Sequence, residues 1–520
     1  MRRILAAVAS LTLVSAIGSW TPAEASPAHS VRNAVEIKVM TFNIFYGGDD
    51  LDLGTGGFCE VPDGCDATLR AVIETIRESG ADVVGLQEAE RNTRRIAEAL
   101  GWHFNERDHL ISRFPLIDPP GADGVYAFVE LRPGRVVAVA NLHLTSDPYG
   151  PYAVRDGASA EEVIDLERAV RLPDIQPLLD SLPELQDQGI PLFVTGDFNS
   201  PSHLDWTPAV ADARPEVPYA VSWPVAETLG TAGLHDSYRD AHPDPLTKPG
   251  FTWTPGSPEG APEGQEVFDR IDWVLASGEA TTTASRIVGE AGGPDVDVQM
   301  TPYPSDHRAV VSTFAVEPRS ARPFAAVAQR RVFVGDRLSV DVHAPNQRGA
   351  KIGLSRVDRH GEQDLLAVRG IPRGAADIRV RFDTGELRPG DYEAVLLSST
   401  GEILTRSPFW LYKPGTPPSV KTSAREYQVG EPIDVSWNAA PGLRRDWVAV
   451  YRCLDRQCAP NGEYLVWAYT DAAIEGRLEI GPLSFEGNET WPLPAGNYVV
   501  RLLTDDSYVD LATSKRFTIG

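Results

Sequence analysis

Between residues 36 and 316, short apolar runs of strand-forming residues alternate with segments of helical period. Ile37–Phe45 is rich in strand formers. Asp66–Gly80 repeats Leu69, Val72, Ile73 and Ile76 on one face, a period of 3.6 with Gly80 as the stop. Val83–Leu86, Arg135–Leu144, Leu192–Gly196, Ile271–Leu275 and Ala309–Phe314 read as further strands. Ser159 and Glu162 form a capping box ahead of a helix through Arg171. This alternation predicts a layered α/β domain over residues 36–316.

Beyond it the helical period vanishes. Glu317–Pro323 reads as a linker, and short alternating runs between Gly/Pro turns follow, as in sandwiches. The tail also repeats itself. Val334-Gly335-Asp336 opens a run that ends in Leu387-Arg388-Pro389-Gly390-Asp391-Tyr392. Val429-Gly430-Glu431 opens a second that ends in Leu493-Pro494-Ala495-Gly496-Asn497-Tyr498. Two related all-β, Ig-like sandwich modules are expected, 317–414 and 415–520.

The N-terminus has a different pattern. Arg2 and Arg3 precede an apolar run from Ile4 to Ile17, and Ala23-Glu24-Ala25 offers a cleavage site. This is the layout of a secretory signal peptide over residues 1–25, followed by a short linker, 26–35. The expected product is extracellular, with no integral membrane segment after signal removal. An exported chain with four cysteines in two local pairs, Cys59 with Cys65 and Cys453 with Cys458, is expected to hold two disulfides.

Charge sharpens this division. The net charge is −25 over 520 residues. Residues 36–318 hold 19 Lys/Arg against 47 Asp/Glu, a net −28, so the tail is close to neutral. Such acidity disfavours a passive polyanion binder, whose surface is normally basic. A nuclease is not excluded, because a metal can supply local positive charge.

Some polar residues sit at strand ends. Asn43 ends the first strand and Glu88 follows the second. His143 closes another, and Asp197 and Asn199 stand two apart after Val194. Asp272 lies in Arg270-Ile271-Asp272-Trp273, and Asp306-His307 precedes the last strand. Oxygen ligands without cysteine suit a hard cation. Imidazoles and amides beside such a cation suit a phosphoester, whose transition state spreads charge over oxygens.

In order, the motifs TFN, LQE, NLHL, GDFNS, RIDW and SDHR resemble those of the endonuclease/exonuclease/phosphatase superfamily, the fold of pancreatic-type deoxyribonuclease and bacterial sphingomyelinase. The resemblance covers residues 36–316 and implies a four-layer α/β sandwich with its active site at the top of two packed sheets. It implies a metal-dependent phosphoric ester hydrolase using Mg²⁺, with Mn²⁺ or Ca²⁺ as alternatives. Glu88 would be the principal metal carboxylate, with Asn43 and Asp306 in the metal set. Asp197 and Asn199 would orient water and hold phosphate. His307 would be one catalytic imidazole, supported by Asp306, and His143 with Asp272 the other imidazole–carboxylate pair. Which histidine is the general acid stays open, as does a purely fold-supporting role for Asp272.

The substrate is less legible. Gln87-Glu88-Ala89-Glu90-Arg91 lacks the Lys-containing segment of abasic-site endonucleases, and Ser200-Pro201 replaces the extension of the 5-phosphatases. Loops leaving catalytic strands commonly set specificity. Tyr149, Tyr152, Arg155 and Arg239 are therefore candidate substrate contacts. The leading expectation is a phosphodiester or phosphomonoester of a small molecule or lipid head group, sphingomyelinase- or phospholipase C-like. A secreted Mg-dependent nuclease is the alternative, with nucleic acid as substrate only. A third reading, from another class, is a surface- or glycan-binding protein whose C-terminal modules make the contact and whose catalytic domain is inactive.

Overall fold

The computed structural model describes residues 34–520, apart from 54–56, 60–64, 254–266, 279, 346, 358–364, 373–376, 454–457, 459–463, 483 and 487–490. The expected signal segment lies outside the described residues.

Six strands carry the argument: β1 (Val35–Asn43), β2 (Val83–Gln87), β3 (Arg135–His143), β4 (Leu192–Asp197), β5 (Asp272–Ser277) and β6 (Ala309–Val316). β1 is paired in parallel with β2 and antiparallel with β6 in one mixed sheet. β4 is paired in parallel with β3 and antiparallel with β5 in the other.

The strands alternate with period 2, yet both faces are buried. Odd-numbered positions of β1 to β4 and even-numbered positions of β5 point between the sheets: Ile37, Val39, Val83, Val137, Val139, Phe193 and Val274 share one core. The opposite faces of the strands in the first sheet pack with Leu69, Val72 and Ile76 of helix α1 (Asp66–Ser79). Those of the second sheet pack with Ile175, Leu178 and Leu182 of a later helix, Leu172–Asp187. The result is helix, sheet, sheet, helix. Gly80 ends α1 with φ 71°, the left-handed cap a glycine supplies. Helix α2 (Ala160–Val170) starts with the anticipated capping box: the Ser159 amide donates to Glu162 Oε2 at 2.8 Å, and Glu162 N–H to Ser159 Oγ at 3.3 Å.

Near the strand ends the inter-sheet core turns polar. Gln87 Nε2 donates to Asn141 Oδ1 at 2.6 Å, Thr195 Oγ1 donates to the same oxygen at 2.9 Å, and Asn141 Nδ2 donates to the Leu86 carbonyl at 2.8 Å. A Cβ at Gly85 would lie 2.0 Å from Thr195 Oγ1, so only glycine lets the sheets close over this network. The network ties the two sheets together beneath the site.

From Phe324 onward the described elements are strands. They form a three-stranded sheet with a five-stranded one, then a second three-stranded sheet facing a larger one, two sandwich-like cores in succession. The repeat seen in the sequence has a structural counterpart. Tyr392 Oη donates to the Arg388 carbonyl and Tyr498 Oη to the Pro494 carbonyl, each at 2.6 Å, and both rings are buried. This is a tyrosine-corner arrangement. Cys59 is bonded to Cys65 and Cys453 to Cys458. Trp437 and Trp447 are buried, so neither is an exposed platform for a glycan.

The segment read as a linker is not a free tether. Arg319 pairs with Val136 backbone to backbone, and Arg322 binds Glu184 and Asp187. Among the described residues no helix is long and apolar enough to cross a membrane.

Candidate active site

Strand parity and register build the site. Asn43, His143 and Asp197 end β1, β3 and β4 and Asp272 begins β5, each at the parity whose side chain points between the sheets. In the second sheet His143 stands opposite Asp197, and Asp197 opposite Asp272, so the three form one row. His307 arrives from the other sheet, just before β6. Its backbone amide donates to Ser305 Oγ at 3.0 Å, and that hydroxyl donates to the Asn43 carbonyl at 2.7 Å.

Asp197 is the centre of the row. Its Oδ2 lies 3.7 Å from His143 Nε2, 3.6 Å from His307 Nε2, and 3.0 Å from Asn43 Nδ2, which donates to it. His307 Nδ1 lies 2.9 Å from Asp272 Oδ2. The imidazole–carboxylate pair is thus His307 with Asp272, which corrects the expected pairing of His143 with Asp272. The register puts Asp272 one strand too far from His143, whereas the chain entering β6 drops His307 onto it. His307, Asp197 and Asp272 place ligand-type atoms within 4.8 Å of one another. Because Asp272 already holds the ring nitrogen at hydrogen-bond distance, this trio reads better as a charge pair beside a carboxylate than as a ligand set.

Glu88 lies at the end of β2 with φ 54°, and Asn199 has φ 47°. The left-handed conformation costs a non-glycine residue roughly 1–2 kcal/mol. At Glu88 it accompanies a carboxylate turned into the site, where Oε1 accepts from Asn43 Nδ2 at 2.9 Å and Oε2 from the Tyr46 amide at 2.8 Å. Asn43 Oδ1 accepts from the Phe45 amide at 3.0 Å. These partners fix the orientation of the Asn43 amide: its nitrogen, not its oxygen, faces the carboxylates. Asn43 is therefore a bracket between Glu88 and Asp197. Asn199 braces Asp197 in turn. Its backbone N–H donates to Asp197 Oδ1 at 2.9 Å, and its side-chain nitrogen to the Leu144 carbonyl at 3.0 Å.

The electrostatics separate the two histidines. Burial works against the charged form of His307, but the carboxylates of Asp272, Asp197 and Asp306 overcome it and hold its pKa well above the ordinary range. For His143 burial prevails over the attraction of Asp197, and Arg445 adds to it, so the pKa falls. The site pairs an imidazolium with a neutral imidazole. Asp306 is pushed up to about 7 by burial and by repulsion from Glu88 and Asp197, against the pull of His307.

Asp197, Asp272 and Asp306 thus crowd around one imidazolium, with Glu88 near Asp306, and Asp272 Oδ1 is buried without a hydrogen-bond partner among the described residues. An oxygen-rich, over-negative cluster of this kind fits a hard divalent cation.

The loop candidates divide. Tyr149 is buried, and its hydroxyl donates to Asp269 Oδ2 at 3.0 Å, beside Trp206 Nε1 on the other oxygen at 2.8 Å. It is an internal support. Tyr152 packs against Tyr149 and Trp253, with centroids 5.0 and 6.0 Å away, and Trp253 lies 6.2 Å from His307. Tyr152 and Trp253 form the aromatic side of the site. Arg155 binds Asp156 and stacks over Tyr152. Arg239 corrects the expectation. It is buried, it binds Asp205 and the carbonyls of His242, Lys248 and Pro249, and it shares Asp205 with the buried Arg270. That guanidinium is committed to the fold.

Buried charge also shapes the loop leaving β3. Arg171 and Glu167 are fully buried and paired at 2.6 Å, and Arg171 also donates to the carbonyls of Ser146 at 2.6 Å and Pro148 at 3.0 Å. Arg171→Met should leave Glu167 as an uncompensated buried charge. The expected loss of stability is about 3–5 kcal/mol, read as a lower urea midpoint.

The reading from sequence missed the contribution of the last module. Arg445 Nη2 donates to the His143 carbonyl at 2.6 Å. Nothing in Arg444-Arg445, some 300 residues away along the chain, signals this.

These residues carry a family signature. The sequence model of the endonuclease/exonuclease/phosphatase family matches residues 40–307. The chain belongs to this family. Its members are hydrolases that act on phosphoester bonds. An uncharacterised protein from Caenorhabditis elegans is 29% identical over 319 residues, 56% of this chain and 94% of the relative. An endonuclease/exonuclease/phosphatase structure from Beutenbergia cavernae is 18% identical and covers 72% of this chain and all of its own, with a TM-score of 0.34. D. rerio TDP2, solved with a single-strand DNA product, is 17% identical over 54% of this chain and 98% of its own, with a TM-score of 0.34.

Proposed function

We propose that this family member is a secreted, metal-dependent phosphoesterase acting on a phosphodiester or phosphomonoester of a small molecule or lipid head group. The observation that carries the reading is Asp197 flanked by two imidazoles of opposite tendency, 3.6 and 3.7 Å from one carboxylate oxygen. That is an arrangement for receiving a phosphoryl group and moving one proton. Glu88 and Asp306 would hold the cation, which when bound neutralises charge on the phosphoryl oxygens. Asp197, braced by Asn43 and Asn199, orients the attacking water and draws on its proton. The His307 imidazolium, held by Asp272, donates to the phosphoryl or leaving oxygen. The neutral His143 contributes a second hydrogen bond. The −28 charge of residues 36–318 supports a small ester over a long polyanion. The two cysteine pairs, both bonded, are compatible with an oxidising exterior.

The test is turnover of the mature chain on a panel of sphingomyelin, phosphatidylcholine, phosphoinositides, simple phosphomonoesters, DNA and RNA. EDTA should reduce turnover to background, and added Mg²⁺ should restore it. Head-group or small esters should be preferred. Degradation of plasmid DNA far faster than any of them would replace this reading with a nuclease.

A further inference from the structure

The last module meets the catalytic face at two places. One is the loop around Arg444 and Arg445, and the other is the turn at Asp505–Asp506. Asp505 Oδ1 lies 2.8 Å from His109 Nε2, and the carbonyl of His109 accepts from the Leu86 amide at 3.0 Å, two residues before Glu88. Arg444 Nη1 donates to the Gly124 carbonyl at 3.1 Å. Arg444 and Arg445 both line the small cavity that Glu88 and His143 line, and Arg445 Nη2 donates to the His143 carbonyl.

The guanidinium is held from behind by its own module. Nη1 donates to Tyr469 Oη at 3.1 Å, and that hydroxyl donates to Asp506 Oδ1 at 2.7 Å. The Asp506 amide returns to the Arg445 carbonyl at 2.9 Å. The whole assembly presents one buried cation to the last residue of β3. Removing a guanidinium from water is costly unless its bonds are made, and a planar fork loses little entropy in making them. Cohesion between the modules does not require a charge at this spot.

We propose that Arg445 is a positioning residue of the active site, supplied by the C-terminal module. It clamps the end of β3 and so fixes the His143 ring against Asp197. The active site is then composite: the last module is part of the catalytic unit rather than an appended binding domain. This rests on the phosphoesterase reading for its kinetic consequence, but not for its structural one.

The experiment uses the full mature chain with Arg445→Met, Arg445→Lys and, as a control on the same loop, Arg444→Met. Near-attack geometry is steep, and a displacement of about 1 Å can cost on the order of 10²-fold in rate. Arg445→Met should lower kcat by up to about that factor with KM little changed. Free guanidinium should restore part of the loss, and Arg445→Lys should lie between. Arg444→Met, which removes a donor to the Gly124 carbonyl and none to β3, should lower kcat less than Arg445→Met. Independently of turnover, hydrogen exchange of the Leu142–Thr145 segment should quicken in Arg445→Met while the rest of β3 is unchanged. Unchanged exchange there, an unchanged kcat, or an equal loss in Arg444→Met would overturn the inference. A wild-type chain that turns over no phosphoester would overturn the proposed function instead, and the exchange measurement would still decide the role of Arg445.

Discussion

His307→Ala is expected to lower kcat by about 10²–10⁴-fold, the range a positioned acid or base contributes. The ring is nearly inaccessible, bonded to Asp272 at 2.9 Å and set 3.6 Å from Asp197. Its proton is held there by three carboxylates. No other described side chain near Asp197 combines a cationic tendency with a free-facing ring nitrogen, so the loss should not be compensated. His307→Gln should lose nearly as much, because an amide can donate a hydrogen bond but cannot give up its proton. Steady-state kinetics with far-ultraviolet circular dichroism as the folding control checks this. A variant that folds and keeps more than a tenth of wild-type kcat, less than the smallest effect in that range, would remove His307 from the chemistry.

Glu88→Gln should produce the second large effect, by a different route. The substitution keeps the shape and removes one negative charge from the acidic cluster proposed to hold the cation. It also disturbs the local bonds. Both oxygens of Glu88 accept hydrogens, one from Asn43 and one from the Tyr46 amide. A glutamine can satisfy only one of them and turns its own donor on the other. Cation affinity, measured by calorimetry with Mg²⁺, should fall sharply, and turnover at limiting Mg²⁺ should drop by about 10³-fold, the scale of several kcal/mol of lost charge stabilisation. High Mg²⁺ should recover part of the rate, which it cannot do for His307→Ala. Equal Mg²⁺ affinity in the two proteins would show that Glu88 is not a cation ligand.

The legible part of this protein was local. Strand formers, a helix stop and a capping box are decided within a few residues, so α1, α2 and the six strands emerged close to their observed bounds. Strand ends did much of the rest: Asn43, His143, Asp197 and Asp272 stand out as polar residues at the ends of apolar runs. The repeated Gly-Asp/Asn-Tyr motif likewise pointed to two related modules, and in the structure its two tyrosines make the same hydrogen bond.

What failed depended on which strand lies beside which. Sequence order paired His143 with Asp272, but register interposes Asp197 and leaves Asp272 for His307. An arginine in a loop looks like a phosphate ligand until burial reveals Arg239 committed to Asp205 and three carbonyls. The sequence by itself determined the family, the alternation of elements and the residues able to do the chemistry, because these rest on short-range pattern. Only the tertiary structure decided which carboxylate serves which imidazole, and that an arginine from the last module reaches His143. Such contacts join residues far apart along the chain, and folding alone brings them within hydrogen-bond distance.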